Sequence, residues 1–333
     1  MSSQSGKDWH FFAKSFVAGG LAGMTSKTTV APLDRIKILL QVHNSHYKNY
    51  GVFTGLTAIV RQESFLSLYK GNGAQMVRIF PYAAVQFMSF EAYKRLLNGL
   101  VDARSIAGAP KVVNHELKFV AGSMAGVTSV LMTYPLDLVR ARLASVVATN
   151  GSTLVATANQ APTTIAGTLL HVFRHEGGIK GLYRGITPTV LAMIPYGGCN
   201  FYMFERLKHW CVQYAPSVCC YRNLDNPDKF VLNVPSKLLC GGLAGAIGQT
   251  AIYPLDVARR RMQLSMTSQE TAVYSQSFLR TLLITYRSHG VVRGLYRGMS
   301  VNYVRAIPMV AVSFCTYEVL KQLLGLETGV DSV

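Results

Sequence analysis

The chain has 333 residues, half of them hydrophobic and only 15% charged, with 33 Lys and Arg against 16 Asp and Glu for a formal net charge of +17. Soluble domains average about 25% charged, so this composition points to one membrane bundle and away from a pair of soluble domains. The basic excess suits anionic lipid or an anionic small molecule. Because the bases are spread over the whole chain and sit within apolar spans, nucleic-acid binding is excluded.

In chain order, residues 1–10 read as an N-terminal tail. The opening MSSQSGKDWHFFAKSF holds neither a secretory apolar region nor an Arg-rich amphipathic transit segment, so an organellar address is expected to be internal. Six apolar stretches follow. The first, near 11–40, is interrupted by Lys14 and Lys27, and the second, near 74–97, by Arg78. Residues 119–136, 185–204 and 238–255 carry no charge, and the sixth stretch, 299–323, is interrupted by Arg305. A bilayer core needs about 20 apolar helical residues, so the expected fold is an all-α membrane protein with six transmembrane helices. A lone charge at membrane depth is costly, which turns these four toward the bundle interior or a water-filled path. Residues 145–162 read as a polar loop, 214–234 as a Pro/Asn/Asp-bearing connection, and 326–333 as a solvated C-terminal tail. The six cysteines, Cys199, Cys211, Cys219, Cys220, Cys240 and Cys315, show neither metal nor disulfide spacing.

The chain repeats itself three times. APLDRIKILLQ (31–41), YPLDLVRARLA (134–144) and YPLDVARRRMQ (253–263) each follow a glycine-rich helix. Downstream come LYKG (68–71), LYRG (182–185) and LYRG (295–298), then FEAYK (90–94), FERLK (204–208) and YEVLK (317–321). Pro32, Pro135 and Pro254 remove a helical hydrogen bond and are expected to kink the odd helices. Asp34/Lys37, Asp137/Arg140 and Asp256/Arg259 are three apart, hence helical neighbours, and read singly they are ordinary local ion pairs worth a few tenths of a kcal/mol. Triplication beside a kink in an apolar span is what that bland reading leaves unexplained. Glu91/Lys94, Glu205/Lys208 and Glu318/Lys321 repeat the device at the even helices' ends, which gives two charged rings. Gly19/Gly23, Gly122/Gly126 and Gly241/Gly245 make Gly-x-x-x-Gly in equivalent places, where a second backbone is expected to approach closely.

At these residues the chain resembles the mitochondrial carrier family along essentially its whole length. The pattern is Pro-x-acid-x-x-base-x-base followed by Gly-x-aromatic-base-Gly, in three copies. Leu39 replaces the final base of the first copy, Ser64 the glycine after Glu63, and His289 the acid before Gly290. The resemblance implies three pseudo-threefold-related repeats (11–100, 115–213 and 234–325) with short helices on the matrix side, in the mitochondrial inner membrane. It further implies that Asp34, Asp137 and Asp256 pair across helices with Arg140, Arg259 and Lys37 to close the matrix side. Gln41 and Gln263 match the glutamines that brace this network, and Ala144 leaves the second brace absent. Glu91, Glu205 and Glu318 are implied to pair with Lys208, Lys321 and Lys94 and close the cytosolic side. Alternating access follows, since two gates of modest net strength can exchange without either becoming a trap.

Aligning the even helices by their terminal glutamates puts Arg78, Ala192/Met193 and Arg305 at the levels where the family contacts substrate. Two arginines hold phosphate bidentately, while Ala192 and Met193 offer a flat wall for a base with Tyr196 placed to stack on it. Helix packing is the competing reading of Met193 and Tyr196. Lys27 and Arg260 add positive charge to the path. An unpaired intramembrane arginine has little structural justification, which favours a substrate role for Arg78 and Arg305. KTTVAPLDRIKILLQVHNSHYK (27–48), YKGNGAQMVRIFPYAAVQFMSFE (69–91), AGSMAGVTSVLMTYPLDLVRARLA (121–144) and GLYRGMSVNYVRAIP (294–308) look like the coenzyme A carrier group of the family. The expected substrate is therefore coenzyme A or a related adenine-nucleotide anion such as dephospho-coenzyme A or ADP, moved by exchange.

Four rivals stand beside this reading. An adenine-nucleotide carrier of the ADP/ATP type is one, although RRRMQL (259–264) lacks the run of three arginines and three methionines. The ATP-Mg/phosphate type is another, although there is no Asp-x-Asp-x-Asp-Gly loop. A proton-leak channel and a membrane scaffold use the same fold. An enzyme is not expected. His171 and His175 beside Glu176 lack a third metal ligand, and no phosphate-binding loop or nucleophile elbow is present. No cofactor or metal is expected. The expected partners are the anionic substrate and membrane lipid, cardiolipin included, and the working unit is a monomer.

Overall fold

The computed structural model of the chain describes residues 2–42, 47, 50–104, 115–147, 164–222, 230–267 and 269–325. Six long helices dominate it: α1 (Ser2–Gln41), α3 (Asn72–Arg104), α4 (His115–Ser145), α7 (Ile186–Tyr214), α9 (Val234–Gln263) and α11 (Met299–Leu323). Between them lie α2 (Val52–Gln62), α5 (Ile165–His175) and α10 (Phe278–His289), and the short turns α6 (Ile179–Leu182) and α8 (Pro216–Cys219). Each repeat thus runs long helix, short amphipathic helix, long helix. Each even helix packs on the odd helix that follows it, α3 on α4 and α7 on α9, and α11 returns to α1 to close a ring. Lys14 Nζ seals that junction by donating to the Leu324 carbonyl, 3.1 Å away, at the end of α11.

The ring is apolar outside. Phe87, Met88, Ile194, Phe201, Leu239, Ile307 and Phe314 are all exposed on the long helices, the inverse of a soluble protein and the pattern that lipid requires. Among the described residues, 235–263 and 291–323 pass as membrane spans by length and mean hydropathy alone. Burial is concentrated at the proline end, where Ile36, Leu39, Leu40, Ile59, Leu68 and Val301 form one cluster.

Several expectations need correction. Helix α1 begins at Ser2, so residues 2–10 of the expected N-terminal tail are helical and continuous with α1. The connection 214–234 contains a small antiparallel hairpin, β1 (Cys220–Arg222) with β2 (Phe230–Leu232), a local addition that leaves the fold all-α. The loop 145–162 and the tail 326–333 lie almost wholly outside the described residues. The Gly-x-x-x-Gly pairs do not admit a second backbone. A Cβ at Gly19 or Gly241 would meet nothing within 4 Å, and one at Gly126 would touch only Met193 Cε at 3.4 Å. Pro81, Pro195 and Pro308 also lie inside α3, α7 and α11. Both helix sets therefore carry a missing backbone bond.

Backbone approach between repeats occurs instead at the Tyr-base-Gly turns. Gly185 starts α7 at φ +84°, and a Cβ there would lie 3.0 Å from Tyr134 Oη and 3.1 Å from the Arg259 carbonyl. Gly71 meets the Arg140 carbonyl of α4, and Gly298 the Lys37 carbonyl of α1, in the same way. Tyr134 Oη donates to the Arg184 carbonyl at 2.8 Å, and Tyr253 Oη to that of Arg297 at 2.7 Å. The left-handed conformation costs a non-glycine residue about 1–2 kcal/mol. Gly185→Ala is accordingly expected to lower the melting temperature of the solubilised protein, whereas Gly19→Ala leaves it unchanged; equal melting of the two variants would contradict this account.

Candidate functional site

All six long helices contribute to a central cavity of about 370 Å³. Its wall includes Lys27, Arg78, Ala192, Met193, Tyr196, Arg260 and Arg305 together with the six charged residues that follow the kink prolines, Asp34, Lys37, Asp137, Arg140, Asp256 and Arg259. Seven cationic side chains face three carboxylates there, an excess of four positive charges. Lys27 Nζ approaches Met309 Sδ at 3.2 Å.

At the proline end the aspartates pair between helices and not along them. Arg140 of α4 binds Asp34 of α1. Arg259 of α9 binds Asp137 of α4 at 2.6 Å, and Lys37 of α1 binds Asp256 of α9 at 2.8 Å, which closes the ring. Local pairing at three-residue spacing is therefore not what these residues do. Two of the pairs carry an amide and a tyrosine beneath them. Gln41 Nε2 donates to Tyr253 Oη at 3.2 Å and Asp256 at 3.4 Å, and Gln263 Nε2 to Tyr134 Oη at 3.2 Å and Asp137 at 3.0 Å. The Asp34–Arg140 pair has Ala31 and Ala144 at the corresponding positions.

Arg78 and Arg305 are not unpaired. Arg78 Nη1 binds Asp137 Oδ1 at 2.9 Å and Nε donates to Thr133 Oγ1 at 3.3 Å, while Arg305 binds the second oxygen of Asp34. Arg260 reaches Asp137 at 3.4 Å and donates to Gln263 Oε1 at 2.7 Å. Buried Asp137 thus accepts from three guanidinium groups and an amide, and the cavity arginines are continuous with the ion-pair ring.

At the opposite end the three interhelical pairs implied by the resemblance are not formed. Lys94 lies 3.5 Å from Glu91, Lys208 3.4 Å from Glu205 and Lys321 3.9 Å from Glu318, each within its own helix and partly exposed. Each lysine there reaches the glutamate one turn before it, so interhelical ion pairs of these two sets close the bundle at the proline end alone.

A second set of pairs ties the short helices to the long ones. Arg35 is 1% exposed and donates Nη2 to both oxygens of Glu63 at 2.9 Å, and Lys70 joins Glu63 at 2.7 Å. Arg142 and Arg184 hold Glu176 in the second repeat. This assigns Glu176 to structure and away from a metal site with His171 and His175, whose rings stack 4.7 Å apart on α5. The signal for these ties was present in the sequence as Arg35, one position after Asp34, and as Arg142, the final base of the Pro-x-acid-x-x-base-x-base pattern in the second repeat.

Comparison with known proteins agrees with this architecture. The family profile described as Mitochondrial carrier protein matches residues 8–100, 113–215 and 230–328, one match per repeat. The chain belongs to the mitochondrial carrier family. It is 48% identical to Solute carrier family 25 member 16 of Homo sapiens over 95% of this chain and 90% of that one. It is 40% identical to Mitochondrial carrier protein CoAc1 of Zea mays over 95% of this chain and 88% of that one. It is also 39% identical to Mitochondrial coenzyme A transporter SLC25A42 of Homo sapiens over 97% of this chain and 92% of that one. Members of the family are transporters and not enzymes, and this carrier is a multi-pass protein of the mitochondrial inner membrane.

Two outcomes follow for the ion pairs of this carrier. Removing one partner of a buried pair costs about 3–5 kcal/mol because the other charge is stranded. Asp137→Asn strands three guanidinium groups and is expected to lower the melting temperature more than Asp256→Asn, which strands one lysine; the reverse order in thermal unfolding would refute it. Burial pushes the Glu63 carboxyl up, but the bonds and charges of Lys70 and Arg35 outweigh it and hold the group below the ordinary carboxylate range. The stability it adds is therefore complete above its unfolded value and lost as pH falls through the lower folded value. Glu63→Gln should melt earlier than the parent at pH 7, with the gap narrowing as the solution is taken to pH 4 and below; a gap independent of pH would exclude this origin.

Proposed function

We propose that the chain exchanges coenzyme A, or a closely related adenine-nucleotide anion such as dephospho-coenzyme A or ADP, across the inner membrane by alternating access. The cavity's excess of four positive charges beside an apolar wall carries this reading. A phosphomonoester bears close to two negative charges at neutral pH, and a pyrophosphate diester adds about two more, so coenzyme A approaches the cavity's excess. Ala192, Met193 and Tyr196 supply the apolar side for the base. The names of the relatives CoAc1 and coenzyme A transporter SLC25A42 support the same substrate.

On this reading Lys27, Arg78, Arg260 and Arg305 bind the phosphates. Asp34, Asp137 and Asp256 with their partners form the matrix gate, braced by Gln41 and Gln263. The three Glu/Lys sets form the cytosolic gate, and the form described is the one open to the cytosol. Arg78 and Arg305 each hold a gate aspartate. A phosphate that takes these guanidinium groups competes with Asp137 and Asp34 for them and loosens the gate from within. Ligand can shift an equilibrium only by such differential contact. Pro32, Pro135 and Pro254 serve as the hinges. The cavity lies within one chain, so the monomer is the working unit, set in lipid that includes cardiolipin.

The test is uptake of labelled coenzyme A into liposomes holding the purified carrier, preloaded with coenzyme A, ADP or buffer. Saturable uptake that needs internal nucleotide is expected. Arg78→Ala should raise the half-saturation concentration about tenfold or more, the loss of one charge-assisted bond. Brisk ADP/ATP exchange without coenzyme A uptake would move the substrate to plain adenine nucleotides. Linear flux would indicate a leak, and silence with every nucleotide would reject the cavity assignment.

A further inference from the structure

The cavity wall is divided chemically. Each odd helix presents one residue to it five positions before its kink proline, and these are Lys27, Val130 and Gln249. Three of the four phosphate-binding cations, Lys27, Arg78 and Arg305, come from α1, α3 and α11, with Arg260 of α9 beside the ion-pair ring, so most of the phosphate charge belongs on that side. The opposite side, from α4, α7 and α9, offers Val130, Ala192, Met193 and Tyr196, with Gln249 among them.

Local packing places Gln249 beside the tyrosine ring. Met193 leans away toward α4, with its Cε 3.4 Å from the position a Cβ would take at Gly126. Tyr196 lies across α9 at Gly248, with Cδ2 and Cε2 3.5 and 3.6 Å from the corresponding position there. The next residue is Gln249. It is half-buried and lines the cavity, and no hydrogen bond to its amide is found among the described residues. Its amide is therefore free to meet a ligand in the cavity. Gln249 offers one donor and one acceptor side by side. Phosphate could use only the donor, whereas an adenine edge, with its 6-amino group next to a ring nitrogen, uses both. The same bidentate match lets glutamine recognise adenine in nucleic acids.

We propose that Gln249 recognises the 6-amino edge of an adenine ring laid against Tyr196 and thereby sets the carrier's base specificity. This rests on the nucleotide-carrier reading above and adds to it the residue that selects the base. Arg78 and Arg305 cannot make that choice, because they hold phosphates common to every nucleotide.

The experiment compares two competitors of labelled coenzyme A uptake, adenosine 3′,5′-bisphosphate and its purine analogue lacking the 6-amino group. In the parent carrier the amino compound should inhibit at about tenfold or more lower concentration, the size of one bidentate base contact. In Gln249→Met, which keeps the side-chain length, the ratio should fall close to one while the potency of the deamino compound stays the same. If that variant does not transport, thermal stabilisation of the solubilised protein by the same two compounds gives the ratio directly. An undiminished ratio in Gln249→Met overturns the proposal. So does a parent carrier that imports coenzyme A yet treats the two competitors alike, and that result leaves the carrier reading standing. If neither compound nor coenzyme A acts on the parent, the carrier reading falls and this inference with it.

Discussion

Three carboxylates buried at the narrow end of a lipid-facing bundle govern the rest of this structure. Each can be ionised there only because a neighbouring helix delivers a cation to it, so the helices cannot pack without their charges in register. The three sites are not equivalent. Asp137 gathers Arg78, Arg259, Arg260 and Gln263, and Asp256 has Lys37 and Gln41. Asp34, which has alanines where the other sites have tyrosine and glutamine, receives Arg305 from α11 in addition to Arg140. A threefold scaffold is thereby given an asymmetric interior, as an asymmetric substrate requires.

Polar and apolar surface are inverted to make this possible. The large exposed side chains are aromatic and aliphatic, and the polar ones converge on the axis. Lys27 and Arg78 lower the mean hydropathy of α1 and α3 while lining the cavity.

The repeat was legible because proline, acid and base recur at fixed offsets in three places, and no local preference produces that. The partners of Asp34, Asp137 and Asp256 followed from the family resemblance, since spacing alone favours the lysine or arginine one turn away on the same helix. What spacing could not give was the second shell of contacts. Arg78 lies 59 positions from Asp137 and Arg305 lies 271 from Asp34, and only the packed bundle puts them together. The glycine pairs misled for a related reason. Four-residue spacing specifies a helix face, but whether a backbone or a side chain meets that face depends on the neighbouring helix. The Glu/Lys rim shows a third limit, because the interhelical pairs implied by the resemblance are not the ones these residues make here.

The turns at Gly71, Gly185 and Gly298 have a mechanical consequence. Each rests on the main chain of the next repeat at the level of its network base. Packed atoms at this separation have little slack. Displacing the end of one odd helix therefore pushes on the start of an even helix in the preceding repeat, whose far end bears on the same odd helix again. The three repeats engage like the leaves of an iris, each wedged against the next.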